Sequence, residues 1–432
     1  DEQRRFIKQV DNVVRVELYL QKKSENEGWE RQINGLSNNE KANLLLEKHT
    51  FKELLADVEQ RNLQNNIVGL EASRLFARSE INMGVDAFRD SLYAMLKRNT
   101  FLNIKFENML DTLGEMSRTD LYSYLKEWEQ LTPLPFYSIG EPELTKVVNK
   151  GGEEFFVLKV LVSNNSDYDG IIQMNVLQNG WWYQPMEDPR ARKKVEIAAH
   201  TSKEFVSVWE EQIRDVEINT MVSGNLPYMI RQSIGNVKQE RNKIVKDTIY
   251  TLPESSLEMP GEVIVDNEDS TLFVLSTPAV VGLLPKWLDK VEDTSFKYSG
   301  ISWWRAPLQW TATTNAKYYG KYIRSAYVIK SGDGSQTATW KIPVPEAGQY
   351  ELYYHVFKDD ELRWNDRLQG EYHFRVAYDS EMEDAYINLR KANEGWEQLG
   401  TYYFSADTVR VVLTDECKLR SVTADAVKIV KR

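Results

Sequence analysis

Residues 155–167 read Phe-Phe-Val-Leu-Lys-Val-Leu-Val-Ser-Asn-Asn-Ser-Asp and mark the point where a helical pattern gives way to a β pattern. Apolar residues, many of them β-branched or aromatic, fill seven of the first eight positions, Lys159 being the exception, and polar turn formers follow. Similar short segments lie further along, at residues 171–177, 193–198, 204–209 and 216–222. Short strands at this spacing predict an antiparallel sandwich of immunoglobulin type over residues 136–258.

The chain before this point, residues 1–135, is predicted to be a helical domain. Ser37 and Glu40 have the spacing of a capping box, and apolar residues at helical spacing follow it. A second helix is predicted over residues 85–97, and a third begins at Thr119 or Asp120 and ends before the prolines that follow residue 132.

The last region, residues 259–432, is predicted to be a second β-sandwich of jelly-roll type. Its strand candidates are residues 339–344, 350–357, 372–378, 401–404, 409–413 and 426–430. Residues 345–348, Pro-Glu-Ala-Gly, are predicted to join the first two of these strands as a hairpin. A length of 432 residues suits about three domains, so the fold class is multidomain α+β.

Composition excludes several classes of protein. The formal net charge is −11 and the pI is about 5.2, which argues against general nucleic-acid binding. A single cysteine, Cys417, excludes an internal disulfide framework and a multi-cysteine zinc site. The most apolar stretch, residues 272–288, contains two prolines and a lysine, so no transmembrane segment is predicted. Because the sequence begins at Asp1, we expect a mature or trimmed chain whose targeting segment is out of view.

No catalytic motif is found. The sequence lacks the His-Glu-x-x-His zinc arrangement, the Gly-x-Ser-x-Gly nucleophile elbow and the phosphate-binding loop. His355 and His373 fall on predicted strands and could meet across a sheet, but no third ligand is identified. We therefore predict no catalytic residue, no metal site and no cofactor.

Aromatic residues give the one positive indication of binding, since exposed rings stack on sugars or anchor protein partners. The candidates lie outside the predicted strands and are Trp303, Trp304, Trp310 and Trp364. Other aromatics are expected to build the sandwich core, namely Trp340, Tyr350, Trp396 and Tyr402.

Five segments of the C-terminal region carry a resemblance to a known family, namely residues 319–324, 338–340, 345–353, 395–404 and 424–430. In these segments the region resembles the golvesin C-terminal-like domain, which is also described as a carbohydrate-binding-like module of xanthan lyases. The resemblance implies an extracytoplasmic β-sandwich, appended to envelope or secreted enzymes, that contacts polysaccharide. It implies a periplasmic, cell-surface or secreted location, and it carries over no site residue.

Residues 83–88 and 120–128 of the helical region give a second resemblance. They are similar to the helices that follow the catalytic domain of gluzincin aminopeptidases, and the family's zinc-binding histidines and glutamate are missing. The resemblance either implies a catalytic domain upstream of this chain or reflects generic helix patterning.

These observations favour a non-catalytic accessory or binding region of a bacterial cell-envelope or secreted protein. Its expected partner is a polysaccharide or an envelope protein. Two alternatives remain open: the chain is the C-terminal part of a zinc aminopeptidase-like enzyme, or it is a structural spacer whose aromatic residues all belong to the core.

Overall fold

The computed structural model describes residues 30–31, 33–99, 105–177, 188–241, 245–255, 257, 261–276, 296–301, 306–358 and 370–432. The chain forms two compact units. The first unit contains Asn38–Leu257, and the second contains Gly28–Ser37 together with Glu258–Arg432. The first unit combines helices and strands, and strands predominate in the second unit. From residue 38 onward, every α-helix of the described ranges lies before residue 128.

Six α-helices belong to the described part of the first unit. They are α1 Asn38–Leu46, α2 Phe51–Ala56, α3 Gln64–Met83, α4 Val85–Arg98, α5 Phe106–Ser117 and α6 Leu121–Glu127. The helices predicted after Ser37, at residues 85–97 and after Asp120 are confirmed as α1, α4 and α6. A capping box begins α2, where the Thr50 hydroxyl accepts from the Glu53 N–H at 3.1 Å and the Glu53 carboxylate accepts from the Thr50 N–H at 2.9 Å.

Helix α3 lies at the centre of the helical core. Its residues Ile67, Leu75 and Phe76 are buried and pack with Phe88 of α4 and Leu110 of α5. Fully burying an aliphatic or aromatic side chain of this kind contributes about 1.5–3 kcal/mol, so this cluster holds the helices together. Within the described ranges, no helix combines the length and the apolar character needed to cross a bilayer.

The strands of the first unit form two sheets. The strands are β1 Tyr137–Ile139, β2 Glu143–Val148, β3 Glu154–Asn164, β4 Gly170–Leu177, β5 Arg192–Ile197, β6 Thr201–Trp209, β7 Asp215–Asn219, β8 Met229–Ser233, β9 Val237–Arg241 and β10 Thr248–Pro253. One sheet has the order β10-β6-β3-β2-β9 with β1 also paired to β3, and the other has the order β5-β4-β7-β8. Val160 and Phe205 of the larger sheet share a core with Ile172 and Ile218 of the smaller one.

Strand β4 is buried along its whole length, because each of its faces is covered. Ile172, Met174 and Val176 point into the core between the sheets. Ile171, on the other face, packs with Ala77 of α3. The helices therefore cover the outer face of the smaller sheet, and the first unit has three layers.

The second unit is also built from sheets. Its strands are β11 Glu262–Val265, β12 Phe273–Leu275, β13 Thr311–Thr314, β14 Ser325–Lys330, β15 Thr337–Pro343, β16 Gly348–Val356, β17 Glu371–Tyr378, β18 Glu381–Asn388, β19 Gly395–Phe404, β20 Thr408–Thr414, β21 Ser421–Ala424 and β22 Val427–Lys431. The sheet orders are β11-β22-β16-β19, β12-β15-β20-β17-β18 and β13-β14-β21. Trp340, Tyr354 and Phe374 lie in the core that these sheets share.

The predicted hairpin at residues 345–348 is wrong. Strands β15 and β16 follow each other closely, but they belong to different sheets and do not pair. β15 pairs with β12 and β20, whereas β16 pairs with β19 and β22. Both strands carry alternating buried residues, so each can bury one face on the common core from an opposite side. The Pro-Glu-Ala-Gly segment is a corner between two sheets.

Lys194 of β5 and Glu80 of α3 form an ion pair between the helices and the smaller sheet of the first unit. The distance from Nζ to Oε2 is 2.5 Å, and the two side chains are 5% and 6% exposed. Replacing Lys194 by Met is expected to lower the free energy of unfolding by about 3–5 kcal/mol, because the Glu80 carboxylate then stays buried without its cation. Urea denaturation, monitored through the helical circular dichroism signal, measures this loss.

The double variant Lys194→Met/Glu80→Leu removes both charges, so we expect it to recover most of the lost stability. A loss below about 1 kcal/mol in the single variant, as for an exposed pair, would contradict the assignment.

His200 joins three segments of the first unit that lie outside its strands. Its Nδ1 lies 2.8 Å from the Glu254 carboxylate and its Nε2 lies 2.7 Å from that of Asp167. The hydrogen bond to Asp167, followed by that to Glu254, raises the pKa of His200 above its usual value of 6.5. A raised pKa means that the stabilisation is complete below about pH 6.5 and is lost as the pH rises through the folded-state pKa.

The variant His200→Asn keeps a residue that tolerates the left-handed backbone at this position, where φ is 52°. We expect the stability difference between wild type and variant to be larger at about pH 5.5 than at about pH 8.5. Thermal unfolding at both pH values measures it, and an equal difference at both would show that the charged ring contributes nothing.

Candidate functional site

Strand β16 presents one face to the core of the second unit and the other face to the surface. Tyr350, Leu352, Tyr354 and Val356 are buried, whereas Tyr353 and His355 between them are partly exposed. This alternation follows from the two-residue period of a strand. Tyr353 and His355 therefore stand together on the outer face of the β11-β22-β16-β19 sheet.

His355 is held by a buried carboxylate. Its Nδ1 lies 2.8 Å from Oδ2 of Asp425, which immediately follows β21 and is fully buried. The backbone N–H of Tyr319 donates to both carboxylate oxygens at 3.2 Å, and the His355 N–H donates to the carbonyl of Ala426 at 2.9 Å. Burial raises the pKa of the Asp425 carboxyl, while the imidazole and the Tyr319 N–H act in the opposite direction. The buried Asp425 carboxylate thus holds the imidazole in position.

Aromatic rings surround the His355 side chain. Trp396 lies opposite it on β19, with ring centroids 5.1 Å apart and an interplanar angle of 79°. The Tyr319 ring lies 5.0 Å from Trp396 and 5.8 Å from His355. Trp396, Tyr319 and His355 are each partly exposed.

Lys428 of β22 completes this group of side chains. Its Nζ lies 4.9 Å from the centroid of Trp396 and 5.4 Å from that of Tyr353, within the range of cation–π attraction. The same ammonium group is paired with Glu262 at 2.8 Å. We call Tyr319, Tyr353, His355, Trp396 and Lys428 together the Trp396 surface.

Charges at the margin of the Trp396 surface are matched in pairs. The Tyr353 hydroxyl donates to Glu351 at 2.6 Å, and Arg432 lies 2.9 Å from the same carboxylate. The hydrogen bond from Tyr353, which is the larger effect, and that from Arg432 lower the pKa of Glu351. The same bond to Glu351 raises the pKa of Tyr353. The surface therefore combines aromatic faces with fixed hydrogen-bonding groups.

The expectation that Trp396 belongs to the core is wrong, whereas Trp340 and Tyr350 are buried as predicted and Tyr402 packs partly buried against them. The reason is a β-bulge. Leu352 pairs with Gly400, but Tyr353 pairs with Gln398, so Leu399 is an extra residue in β19. One inserted residue reverses the faces of all residues beyond it, which moves Trp396 to the outside.

Of the four tryptophans predicted to bind a ligand, only Trp310 lies within the described residues. It is partly buried and packs against the core of the second unit, just before β13. Its indole N–H is buried and has no hydrogen-bond partner in the described part of the chain. Trp303, Trp304 and Trp364 lie outside the described residues. The binding role of these four residues remains a prediction.

The idea that His355 and His373 could meet across one sheet is also wrong. His355 lies on β16, and His373 lies on β17 in the other large sheet of the second unit. His373 pairs with Asp384 at 2.8 Å and stacks on the exposed ring of Tyr386 at 4.8 Å. The two histidines belong to separate outer faces.

Comparison with known proteins identifies part of this unit. Residues 304–431 match the family model of the Golvesin C-terminal domain. No curated protein matches the chain. Among solved structures, a Paenibacillus xanthan lyase is 16% identical with a TM-score of 0.28, and the match covers 70% of this chain and 27% of that one. A Bacteroides uniformis β-glucuronidase is 11% identical with a TM-score of 0.19, and the match covers 72% and 31%.

This chain spans less than a third of the length of those two structures. The predicted golvesin resemblance is confirmed: residues 304–431 match the Golvesin C-terminal domain, and the Trp396 surface lies within this range.

Proposed function

We propose that this chain is a non-catalytic accessory region of a bacterial cell-envelope or secreted protein, and that its second unit contacts polysaccharide through the Trp396 surface. The Golvesin C-terminal domain at residues 304–431 supports this class of function. The domain also supports a periplasmic, cell-surface or secreted location.

One observation carries the proposal: partly exposed aromatic rings lie beside oriented polar groups on one face of a sheet. Trp396 and Tyr319 offer apolar ring surface, while His355 and Lys428 lie beside them. The apolar face of a sugar ring packs on aromatic rings, and its hydroxyls need hydrogen-bond partners at the ring edge. The Trp396 surface provides both within one group of side chains.

For the first unit we propose that its two sheets form an immunoglobulin-like sandwich. A six-stranded and a four-stranded sheet with a shared apolar core support this layout. The parallel pairing of β2 with β9 is a departure from a purely antiparallel arrangement.

Affinity gel electrophoresis of the chain in polysaccharide-containing gels tests the binding proposal. We expect retention of the wild type, and the variant Trp396→Ala should bind about 1–2 kcal/mol more weakly, because the ring face is lost. Trp396→Phe keeps part of the ring and should bind with intermediate affinity. Thermal unfolding of each variant shows whether the fold is kept.

Tyr386→Ala is the matched control, because Tyr386 is an aromatic residue 58% exposed on the other large sheet of the second unit. It should bind like the wild type. Failure of the wild type to be retained by any polysaccharide would refute the proposal and favour a spacer or a protein partner. Equal losses for Trp396→Ala and Tyr386→Ala would show that the site lies elsewhere.

A further inference from the structure

We propose that the Trp396 surface selects an uncharged, hydroxyl-rich sugar ring, one hydroxyl of which donates a hydrogen bond to Nε2 of His355. This inference rests on the proposed polysaccharide contact and adds the chemical class of the sugar and the role of one residue.

Asp425 determines which nitrogen of the His355 imidazole carries the proton. The Asp425 carboxylate already accepts from the Tyr319 N–H with both of its oxygens, and Nδ1 of His355 lies 2.8 Å from Oδ2. An ionised carboxylate only accepts hydrogen bonds, so Nδ1 is the donor. In a neutral imidazole the other nitrogen is then an acceptor. Asp425 thereby fixes Nε2 as an acceptor.

The surroundings of Nε2 determine which chemical group can bind to it. Nε2 makes no hydrogen bond to any described residue, and the His355 side chain is 13% exposed, so its ring edge reaches the surface. Trp396 and Tyr319 border the same edge. A sugar ring packed on Trp396 places its hydroxyls at this edge, and a hydroxyl is a donor that fits an acceptor nitrogen. A carboxylate group, which only accepts, does not fit.

The cations at the Trp396 surface and its margin are already paired with carboxylates of the protein. Lys428 is paired with Glu262 and Arg432 with Glu351, at 2.8 and 2.9 Å. Each of these cations would have to exchange its carboxylate for that of an acidic sugar. The net charge of −11 also repels a polyanion at long range. The surface therefore favours a neutral sugar over a uronate.

Two measurements test the inference. In affinity gels of equal ionic strength, we expect galactomannan and mixed-linkage β-glucan to retain the chain, and polygalacturonate and alginate not to do so. Retention by the two acidic polymers alone would overturn the inference while supporting the proposed function. Retention by none of the four would overturn the sugar class proposed here, and a wider panel, as used for the proposed function, then decides whether any polysaccharide is bound.

The second measurement is ¹⁵N NMR of the histidine side chains in the free protein, which needs no ligand. We expect His355 to carry its proton on Nδ1. The ¹⁵N signals of His355 are identified as those that disappear in the variant His355→Phe. In Asp425→Asn the side-chain amide can donate to Nδ1, so the proton should move to Nε2. A wild-type ring protonated at Nε2 would overturn the inference whatever the gels show.

Both variants should bind the neutral polymer about three- to tenfold more weakly, which is the effect of one lost hydrogen bond. His355→Phe keeps an aromatic ring against Trp396 and serves where Asp425→Asn fails to fold. His373→Gln is the control, because that histidine also pairs with a carboxylate but lies on the other sheet, and its binding should be unchanged. Unchanged binding in both His355→Phe and a folded Asp425→Asn would refute the role of Nε2.

Discussion

The Asp425 carboxylate is fully buried, and it is satisfied by groups from two separate parts of the chain, the N–H of Tyr319 and the imidazole of His355. Burying an ionised group costs several kcal/mol unless hydrogen bonds and charges replace the lost water. The backbone carbonyl of Asp425 also accepts from the indole N–H of Trp340, at the centre of the core. One residue therefore joins the core of the golvesin domain to the aromatic surface above it, and the arrangement of that surface depends on it.

Much of the strand pattern could be predicted from the sequence, because half-buried strands alternate in polarity. The strands predicted in the first sandwich and those predicted around β15, β16, β17 and β20 lie where expected. Helices α3 and α5 were not predicted individually. Helix α3 is buried by the other helices and by the smaller sheet, and it carries polar residues such as Glu71 and Glu80 in buried positions, which obscures its apolar pattern. Its role depends on partners distant in sequence.

The type of candidate site could be predicted from the sequence, but its residues could not. An aromatic binding surface in the last region was expected, but the residues chosen were those outside strands, and Trp396 was assigned to the core. The bulge at Leu399 depends on how β19 pairs with β16, and no local pattern of residues reveals an unpaired position. His355 and Asp425 are 70 residues apart, so their contact follows from strand order alone. The resemblance of the helical region to gluzincin aminopeptidases stays a prediction.

The strand order of the second unit has a consequence for how it is made. Strand β22 is the last strand of its sheet to leave the ribosome, yet it lies inside that sheet, between β11 and β16. The corner at residues 345–348 does not provide a local hairpin from which this sheet could start. Contacts between segments far apart in sequence slow folding, since the loops between them must close first. The edge strand β11 therefore has no partner in this sheet until β22 is made, and β16 keeps one edge unpaired over the same interval, so the nascent chain exposes unpaired strand edges.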